Sequence, residues 1–236
     1  MLLDIPWQEY LKTYKNKNMK KLYPDSGVEL SPSISKNYDK IMNGASFGLY
    51  KSFIKKAISD LDIKEKDEIL DLGCGTGRNI LLMNKYVSED SLLMGLDISE
   101  EMEKQFNINC KDFSNIKFVN KRIDQPFELD QKFDKIFISF VIHGFPHEIR
   151  KNVIKNAFNH LKPGGVFNIL DFAEFDMKKM PFHHRFIFKA IECKYAFDYI
   201  ERDWKNILKD YGFGNFEETF YFKHYVRLLK AKKNDF

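Results

Sequence analysis

The sequence lacks long apolar runs, paired cysteines and a large excess of charge of one sign. No apolar run approaches the ~18 residues of a membrane span. The first residues, MLLDIPWQEY, carry an acid where a secretory leader carries bases. Cys74, Cys110 and Cys193 stand apart without a C-x-x-C pair, which argues against a disulfide framework or a structural zinc site. We therefore expect a cytoplasmic protein.

The charge balance excludes little more than a strongly basic or acidic partner. Lys and Arg number 38 against 34 Asp and Glu, and the net charge of +4 is spread along the chain. This distribution does not indicate a nucleic-acid partner. A length of 236 residues with 44% hydrophobic residues suits one globular α/β domain with additions, or at most two small domains. The expected assembly is a monomer or a homodimer.

Short apolar runs alternate with helical patterns along the middle of the chain. The predicted strands are 67–72, 91–97, 116–120, 133–139, 165–172, 215–222 and 225–233, and the predicted helices are 77–87, 99–111 and 146–161. Strands separated by helices are typical of β-α-β units, which build a parallel sheet. The last two strands are joined by a short connection and predict an antiparallel hairpin.

Glycine is scarce at 12 residues, yet three glycines follow the first strand at alternate positions, in ILDLGCGTGRN. They are Gly73, Gly75 and Gly77. Without a Cβ atom, glycine reaches positive φ and lets a ligand approach the backbone. The dinucleotide pattern G-x-G-x-x-G would need its third glycine at position 78, which is Arg78.

An acid ends the next predicted strand. Asp97 lies twenty residues after Gly77. An acid at such a strand end can accept hydrogen bonds from both hydroxyls of a ribose. A tight turn without a ligand is the alternative reading of the glycines, but Asp97 favours a nucleoside site at the carboxyl edge of the sheet.

These features together resemble the class I S-adenosylmethionine-dependent methyltransferases. The resemblance rests on D-L-G-C-G-T-G at 71–77, on Asp97, and on L-K-P-G-G at 161–165, where a helix ends before the fifth strand. It covers about residues 64–233. It implies a Rossmann-like α/β fold with a seven-stranded, mostly parallel sheet, one antiparallel strand and helices on both faces. It also implies S-adenosyl-L-methionine as the cofactor.

The resemblance further implies how the cofactor is held. Asp71 would face the methionine amino group, and Gly73 and Gly75 would let the backbone pass beneath the ligand. Asp97 would hold the ribose and Ile98 would pack on the adenine. We assign Cys74, Gly77, Ile123, Asp124 and Ser139 to the same site.

One stretch departs from the class I pattern. Relatives carry an acid near the end of the third strand, in G-D-A-x-x-L-P-F, whereas this chain reads VNKRIDQPF. Aligning the Pro-Phe pair puts Lys121 where the acid belongs. Asp124 is either the displaced acid or a residue of a solvated loop.

A second resemblance is narrower. YDKIMNGASFGLYKSFIKKAI at 38–58 resembles the segment before the sheet in the ubiquinone/menaquinone biosynthesis C-methyltransferases. It implies that residues 1–60 form a helical segment covering the site and that 61–236 form the core. The alternative is a helix that packs on the sheet edge. After the fourth strand, FVIHGFPHEIR stands where that family has GLRN, and it is more similar to general small-molecule methyltransferases.

His143 is the candidate general base because it directly follows the fourth strand. A methyl sulfonium is already electrophilic, so positioning carries most of the catalysis, but a carbon or phenol nucleophile must also lose a proton. The alternative is that His143 caps the next helix together with His147 and Glu148.

Residues 173–198 interrupt the sheet and are predicted to form a substrate lid. His183 and Phe186 are the predicted acceptor-binding residues. Basic and aromatic residues share this segment, so a peripheral membrane contact is a second interpretation. No third ligand accompanies His183 and His184, and no metal site is expected.

The sequence therefore predicts an enzyme that transfers a methyl group to a small, apolar or aromatic, quinone-precursor-like acceptor. Methylation of oxygen or nitrogen on another small molecule is the first alternative. A regulator that binds the cofactor without catalysis is the second. Methylation of RNA is disfavoured by the lack of an appended basic domain and of an N-P-P-Y-type tetrapeptide.

Overall fold

The computed structural model describes Tyr23, Ser26 and residues 49–234. Most of the predicted N-terminal segment 1–60 therefore lies outside the described residues. The strands are β1 Ile69–Leu72, β2 Leu93–Asp97, β3 Ile116–Asn120, β4 Phe133–Ser139, β5 Leu161–Phe172, β6 Phe213–Tyr221 and β7 Val226–Lys233. The helices are α1 Leu49–Ser59, α2 Arg78–Met83, α3 Glu100–Asn109, α4 His147–His160, α5 Phe182–Ile191, α6 Lys194–Ile200 and α7 Trp204–Asp210.

In the described part of the chain the strands form a seven-stranded sheet in the order β3-β2-β1-β4-β5-β7-β6. β1 to β5 pair in parallel, and β7 runs antiparallel to both β5 and β6. This confirms the predicted mostly parallel sheet with one antiparallel strand. The strand order reverses between β1 and β4, which is where open α/β sheets bind ligands beyond the carboxyl ends of their strands.

Both faces of the central strand β1 are buried, as its near-continuous apolar run predicts. Successive side chains of a strand point to opposite faces. Leu70 and Leu72 join a core with α4, α6 and α7. Ile69 joins a second core with α1, α2 and α3.

Two element borders differ by four residues from the sequence-based prediction. α2 ends at Met83 rather than at residue 87, and the backbone N–H of Ser88 then bonds to the carbonyl of Glu65, 2.7 Å away, which ties the chain back to the start of β1. β5 begins at Leu161 rather than at 165. The register of β5 against β4 shifts in that added stretch, which is where a strand tolerates a proline such as Pro163.

The insertion, residues 173–198, contains a short 3-10 turn at Met177–Lys179, the helix α5 and most of α6. Phe188 of α5 fastens it to the core: its ring lies 5.1 Å from that of Phe172 and 5.7 Å from that of Phe175. Within residues 49–234, every helix is too short or too polar to cross a bilayer.

Candidate active site

The turn between β1 and α2 is built on three glycines with positive φ, at 77° for Gly73, 52° for Gly75 and 79° for Gly77. A Cβ atom on Gly73 or Gly77 would come within 3 Å of core side chains, so both are required by packing. Among the described residues, a Cβ atom on Gly75 would meet only the Met102 sulfur, at 3.8 Å. Gly75 therefore faces space that a ligand can occupy.

Asp71 ends β1 just before this turn and is 1% exposed. Neither of its carboxylate oxygens has a hydrogen-bond partner among the described residues. Burial, reinforced by the nearby Asp97 and opposed by Arg78, raises the pKa of Asp71 to about 8. A buried carboxylate without donors is unfavourable unless a ligand supplies them, so the position suits a cationic group.

Asp97, at the end of β2, fastens the glycine turn. Its Oδ2 accepts the backbone N–H of Gly75 at 2.9 Å, and its Oδ1 accepts that of Ser99 at 3.0 Å. Burial raises the pKa of Asp97 although these hydrogen bonds oppose the shift. Each oxygen has further lone-pair capacity for a ligand hydroxyl. The neighbouring Ile98 is 43% exposed, which leaves an apolar surface beside the acid.

The donor and acceptor set fits a nucleoside that carries an ammonium group. Asp71 provides a buried carboxyl group with no partner among the described residues, Gly75 an open backbone, Asp97 an acceptor and Ile98 an apolar face. These are features that S-adenosylmethionine requires.

The remaining residues assigned to the cofactor have other contacts. Cys74 and Ile123 are buried in the two cores. The Ser139 hydroxyl accepts a hydrogen bond from the Asn79 amide at 2.9 Å. Their contact with a cofactor stays a prediction.

Asp124 is 5% exposed, so it is not part of a solvated loop. Arg122 donates to it from Nε at 3.0 Å and also from its terminal nitrogen, and the Tyr23 hydroxyl donates at 2.5 Å. This cluster was not predicted from the sequence. Because the carboxylate is already paired, its proposed adenine contact would need lone pairs that these donors leave free.

His143 lies in a 3-10 turn, Ile142–Gly144, directly after β4. Its Nδ1 is 2.7 Å from Oδ1 of Asp171, and its backbone N–H donates to Oδ2 of Asp171 at 3.3 Å. On the other side, Nε2 is 3.7 Å from Oε2 of Glu192. The alternative role of His143 as a helix cap is wrong, because the N-cap residue of α4 is Pro146 and no side chain caps this helix.

The surroundings of His143 favour its charged form. Burial alone would lower the pKa of this imidazole, but Asp171 and then Glu192 outweigh burial, so that the pKa is raised. Asp171 is 1% exposed at the carboxyl end of β5. An anion bonded to Nδ1 fixes the ring orientation and stabilises an imidazolium formed by proton uptake at Nε2.

Arg150 of α4 holds the His143 turn in place. It is fully buried, and it donates to the carbonyls of Ile142 at 3.2 Å and of His143 at 2.9 Å. The same guanidinium also donates to the Tyr195 carbonyl and to the Asp198 carboxylate of α6, both at 2.6 Å. One side chain therefore links α4, the histidine turn and the insertion.

The predicted acceptor-binding residues of the insertion are on its surface. Phe186 is 67% exposed and His183 is also exposed, so their contact with the acceptor stays a prediction. Glu192, from the same segment, reaches His143 instead. Sequence reasoning missed Asp171, Glu192 and Arg150. The acid of ILDF, alone in an apolar strand, was the one local signal for Asp171.

Comparison with known proteins identifies the family to which the chain belongs. A family model described as the ubiE/COQ5 methyltransferase family matches residues 19–195, about three quarters of the chain. The demethylmenaquinone methyltransferase of Staphylococcus carnosus is 34% identical over 135 residues, which cover 57% of this chain and 55% of that protein. That of Staphylococcus saprophyticus is 31% identical over 140 residues, 59% of each chain. The match thus spans little more than half the length of these relatives.

A solved structure supports the fold. The S-adenosylmethionine-dependent methyltransferase from Aquifex aeolicus superposes with a TM-score of 0.61, covering 86% of this chain and 99% of that one. At 20% sequence identity this likeness concerns the architecture alone.

Proposed function

This chain belongs to the ubiE/COQ5 methyltransferase family, and from that premise we propose that it transfers a methyl group from S-adenosylmethionine to a small, apolar or aromatic acceptor of the quinone-precursor kind. The single observation that carries the proposal is Asp71, a fully buried carboxylate with no partner among the described residues, beside an open glycine turn. The names of the curated relatives support the acceptor class.

The cofactor supplies a methyl group on a positively charged sulfur. Asp71 would bind the ammonium group, and Asp97 would accept hydrogen bonds from the ribose hydroxyls. Gly75 leaves the backbone accessible, and Ile98 offers its exposed side chain to the adenine. Ile123 and Asp124 would border the adenine from the loop after β3.

His143 would remove the proton from the acceptor. Its Nε2 takes the proton, while Asp171 holds the Nδ1 side and stabilises the resulting imidazolium. The bonding electrons stay on the acceptor atom, which becomes the nucleophile. His183, Phe186 and the N-terminal residues 1–60 would cover the acceptor.

The insertion would also contact a membrane surface, where an apolar acceptor concentrates. Residues 177–191 carry Lys178, Lys179, Arg185 and Lys189 and no acid. Phe182 is 73% exposed and Phe186 67% exposed on α5. Exposed aromatic rings with neighbouring bases fit the surface of an anionic bilayer.

A binding and turnover experiment tests the function. Calorimetry with S-adenosylmethionine measures the cofactor site, and transfer of a labelled methyl group is then followed over a panel of quinols, phenols and amines. The proposal predicts binding and transfer to a quinol. Transfer only to an amine or a simple phenol supports the alternative of another small-molecule methyltransferase, which the His143–Asp171 pair also suits. Binding without any transfer supports a regulator, and absence of binding refutes the proposal.

A further inference from the structure

The two ring nitrogens of His143 have different neighbours. Nδ1 has a hydrogen-bond partner in Asp171, but Nε2 is 3.7 Å from the Glu192 carboxylate. That separation is too long for a hydrogen bond and short enough for a strong charge interaction. Among the described residues, Nε2 thus has a neighbouring anion and retains access for an acceptor.

We propose that Glu192 is a positioning residue of the reaction. Its carboxylate, supplied by the insertion, faces Nε2 of His143 and controls whether that nitrogen carries a proton. The inference rests on the proposed function, because it assigns to His143 the role of base. It adds a residue from the insertion to the proton-handling site.

The anchoring of Glu192 supports this role. Glu192 links α5 to α6, and α6 begins two residues later. Arg150 binds the Tyr195 carbonyl and Asp198 in α6 and also the carbonyl of His143. Arg150 is therefore a buried anchor for both the His143 turn and the segment that carries Glu192. The distance between the Glu192 carboxylate and the His143 imidazole depends on how the insertion packs on this anchor.

The charges around His143 explain what Glu192 changes. Asp171 faces the ring from β5, Glu192 from the insertion and the Arg150 cation from α4, and the Tyr199 phenol ring of α6 lies 6.4 Å away. Asp171 is held by a strand, so its contribution is constant. The Glu192 side chain is only 21% exposed, and its pKa is raised, chiefly by burial and against the effect of His143. Of the two carboxylates that face His143, Glu192 is the one that the insertion supplies.

The chemical step is a proton transfer. The acceptor's X–H bond breaks, its electron pair stays on X, and the proton forms an N–H bond at Nε2. The imidazolium then lies between the carboxylates of Asp171 and Glu192. After the product leaves, the proton passes from Nε2 to the Glu192 carboxylate or to water, which regenerates the base.

The test is an NMR titration of ¹⁵N-histidine-labelled protein without any ligand. A His143→Asn spectrum identifies the His143 signals among the six histidines. Glu192→Gln should lower the pH at which His143 is half protonated by about one unit, because an anion near the ring is lost. Glu192→Asp should restore part of the difference. Glu201→Gln removes an exposed acid just after α6 and should leave the titration unchanged.

The acid limb of the kcat–pH profile gives a second measurement on the wild-type protein and Glu192→Gln, and it should move to lower pH in the variant. An unchanged His143 titration in a folded Glu192→Gln protein, or the same shift in Glu201→Gln, overturns the inference. If Glu192→Gln does not fold, Glu192→Asp is used instead, because the shorter side chain moves the carboxylate away from His143. A His143 titration identical to that of the wild type, in a Glu192→Asp protein whose carboxylate is shown to be displaced, also overturns the inference. If the wild-type protein does not bind the cofactor, the proposed function is refuted. The NMR titration would still decide whether Glu192 sets the protonation of His143, because it needs no ligand.

Discussion

Asp71 and Asp171 are both 1% exposed and both lie at the carboxyl ends of parallel strands, yet their carboxylates have opposite surroundings. Asp171 receives the His143 ring, the His143 N–H and the N–H of Phe172. Asp71 receives no hydrogen bond from the described residues. Since buried polar groups are almost always satisfied, the difference separates an acid that orients another side chain from one that awaits a ligand.

The two regions around these acids also differ in how they are assembled. The glycine turn is continuous in sequence and closes through Asp97 of the adjacent strand. The histidine site draws on residues 143, 150, 171 and 192, which come from four separate elements. We expect substitutions in the turn to abolish cofactor binding and substitutions in the histidine site to spare it.

Gly75→Val should have the largest effect, a complete loss of cofactor binding measured by calorimetry. Gly75 has a φ of 52°, where a β-branched residue is strained, and its Cβ would enter the open space of the turn. Gly212→Val is the matched control, because Gly212 also has positive φ, at 89°, but lies beyond α7. A folded Gly75→Val protein with normal affinity would show that the turn is only structural.

His143→Ala should lower turnover by a factor on the order of 10²–10⁴ and leave cofactor affinity nearly unchanged. The pair of measurements is a steady-state rate with the best acceptor and a calorimetric titration with the cofactor. Full activity of the variant between pH 6 and 9 would remove His143 as the base. A parallel loss of cofactor affinity would contradict the separation of the two regions.

This difference in assembly explains what the sequence could reveal. The positions of the strands and the turn at 71–77 were predictable because apolar runs, glycines and strand-end acids are short-range signals. Asp171 and Glu192 were not, because their role depends on which helices and strands meet over His143. The burial of Asp124 was also missed, since its partners Arg122 and Tyr23 include a residue 101 positions away.

Asp97→Ala should weaken cofactor binding about ten- to a hundredfold, because hydrogen bonds to a charged acceptor are worth roughly 1.5–3 kcal/mol. The variant also releases the backbone N–H groups of Gly75 and Ser99. Asp97→Asn keeps one oxygen acceptor and serves as the intermediate case. Equal affinities of both variants and the wild type by calorimetry would remove Asp97 from the site.

Asp71 should make cofactor affinity depend on pH. With its pKa raised to about 8, the carboxyl is mostly protonated below that pH, and binding an ammonium group requires the proton to leave. The dissociation constant should fall about tenfold for each unit of pH up to about 8 and then level off. Calorimetry in buffers of different ionisation enthalpy measures the released proton, and Asp71→Asn should abolish the dependence.

The same raised pKa has a consequence for the ligand-free protein. The folded state holds the Asp71 proton to higher pH than the unfolded state does, so the stabilising contribution declines as pH rises from about 4 to about 8. Asp71→Asn should therefore raise the free energy of unfolding at pH 8 while it weakens binding. A variant less stable than the wild type at pH 8 would indicate that Asp71 has a partner in the free protein.

The smallest expected effect concerns the surface of the insertion, where two phenylalanines of α5 should behave differently. Phe186→Ala should weaken binding to anionic vesicles and raise the acceptor KM by roughly three- to tenfold, because a half-inserted ring contributes about 1 kcal/mol. The free energy of unfolding of the Phe186→Ala variant should equal that of the wild type, since Phe186 is 67% exposed. Phe188→Ala should instead lower the free energy of unfolding by about 3 kcal/mol, because the Phe188 ring packs on Phe172 and Phe175.

Phe113→Ala, at an exposed ring before β3, is the control for apolar surface in general. If Phe113→Ala and Phe186→Ala reduce vesicle binding equally, the membrane contact is not specific to the insertion.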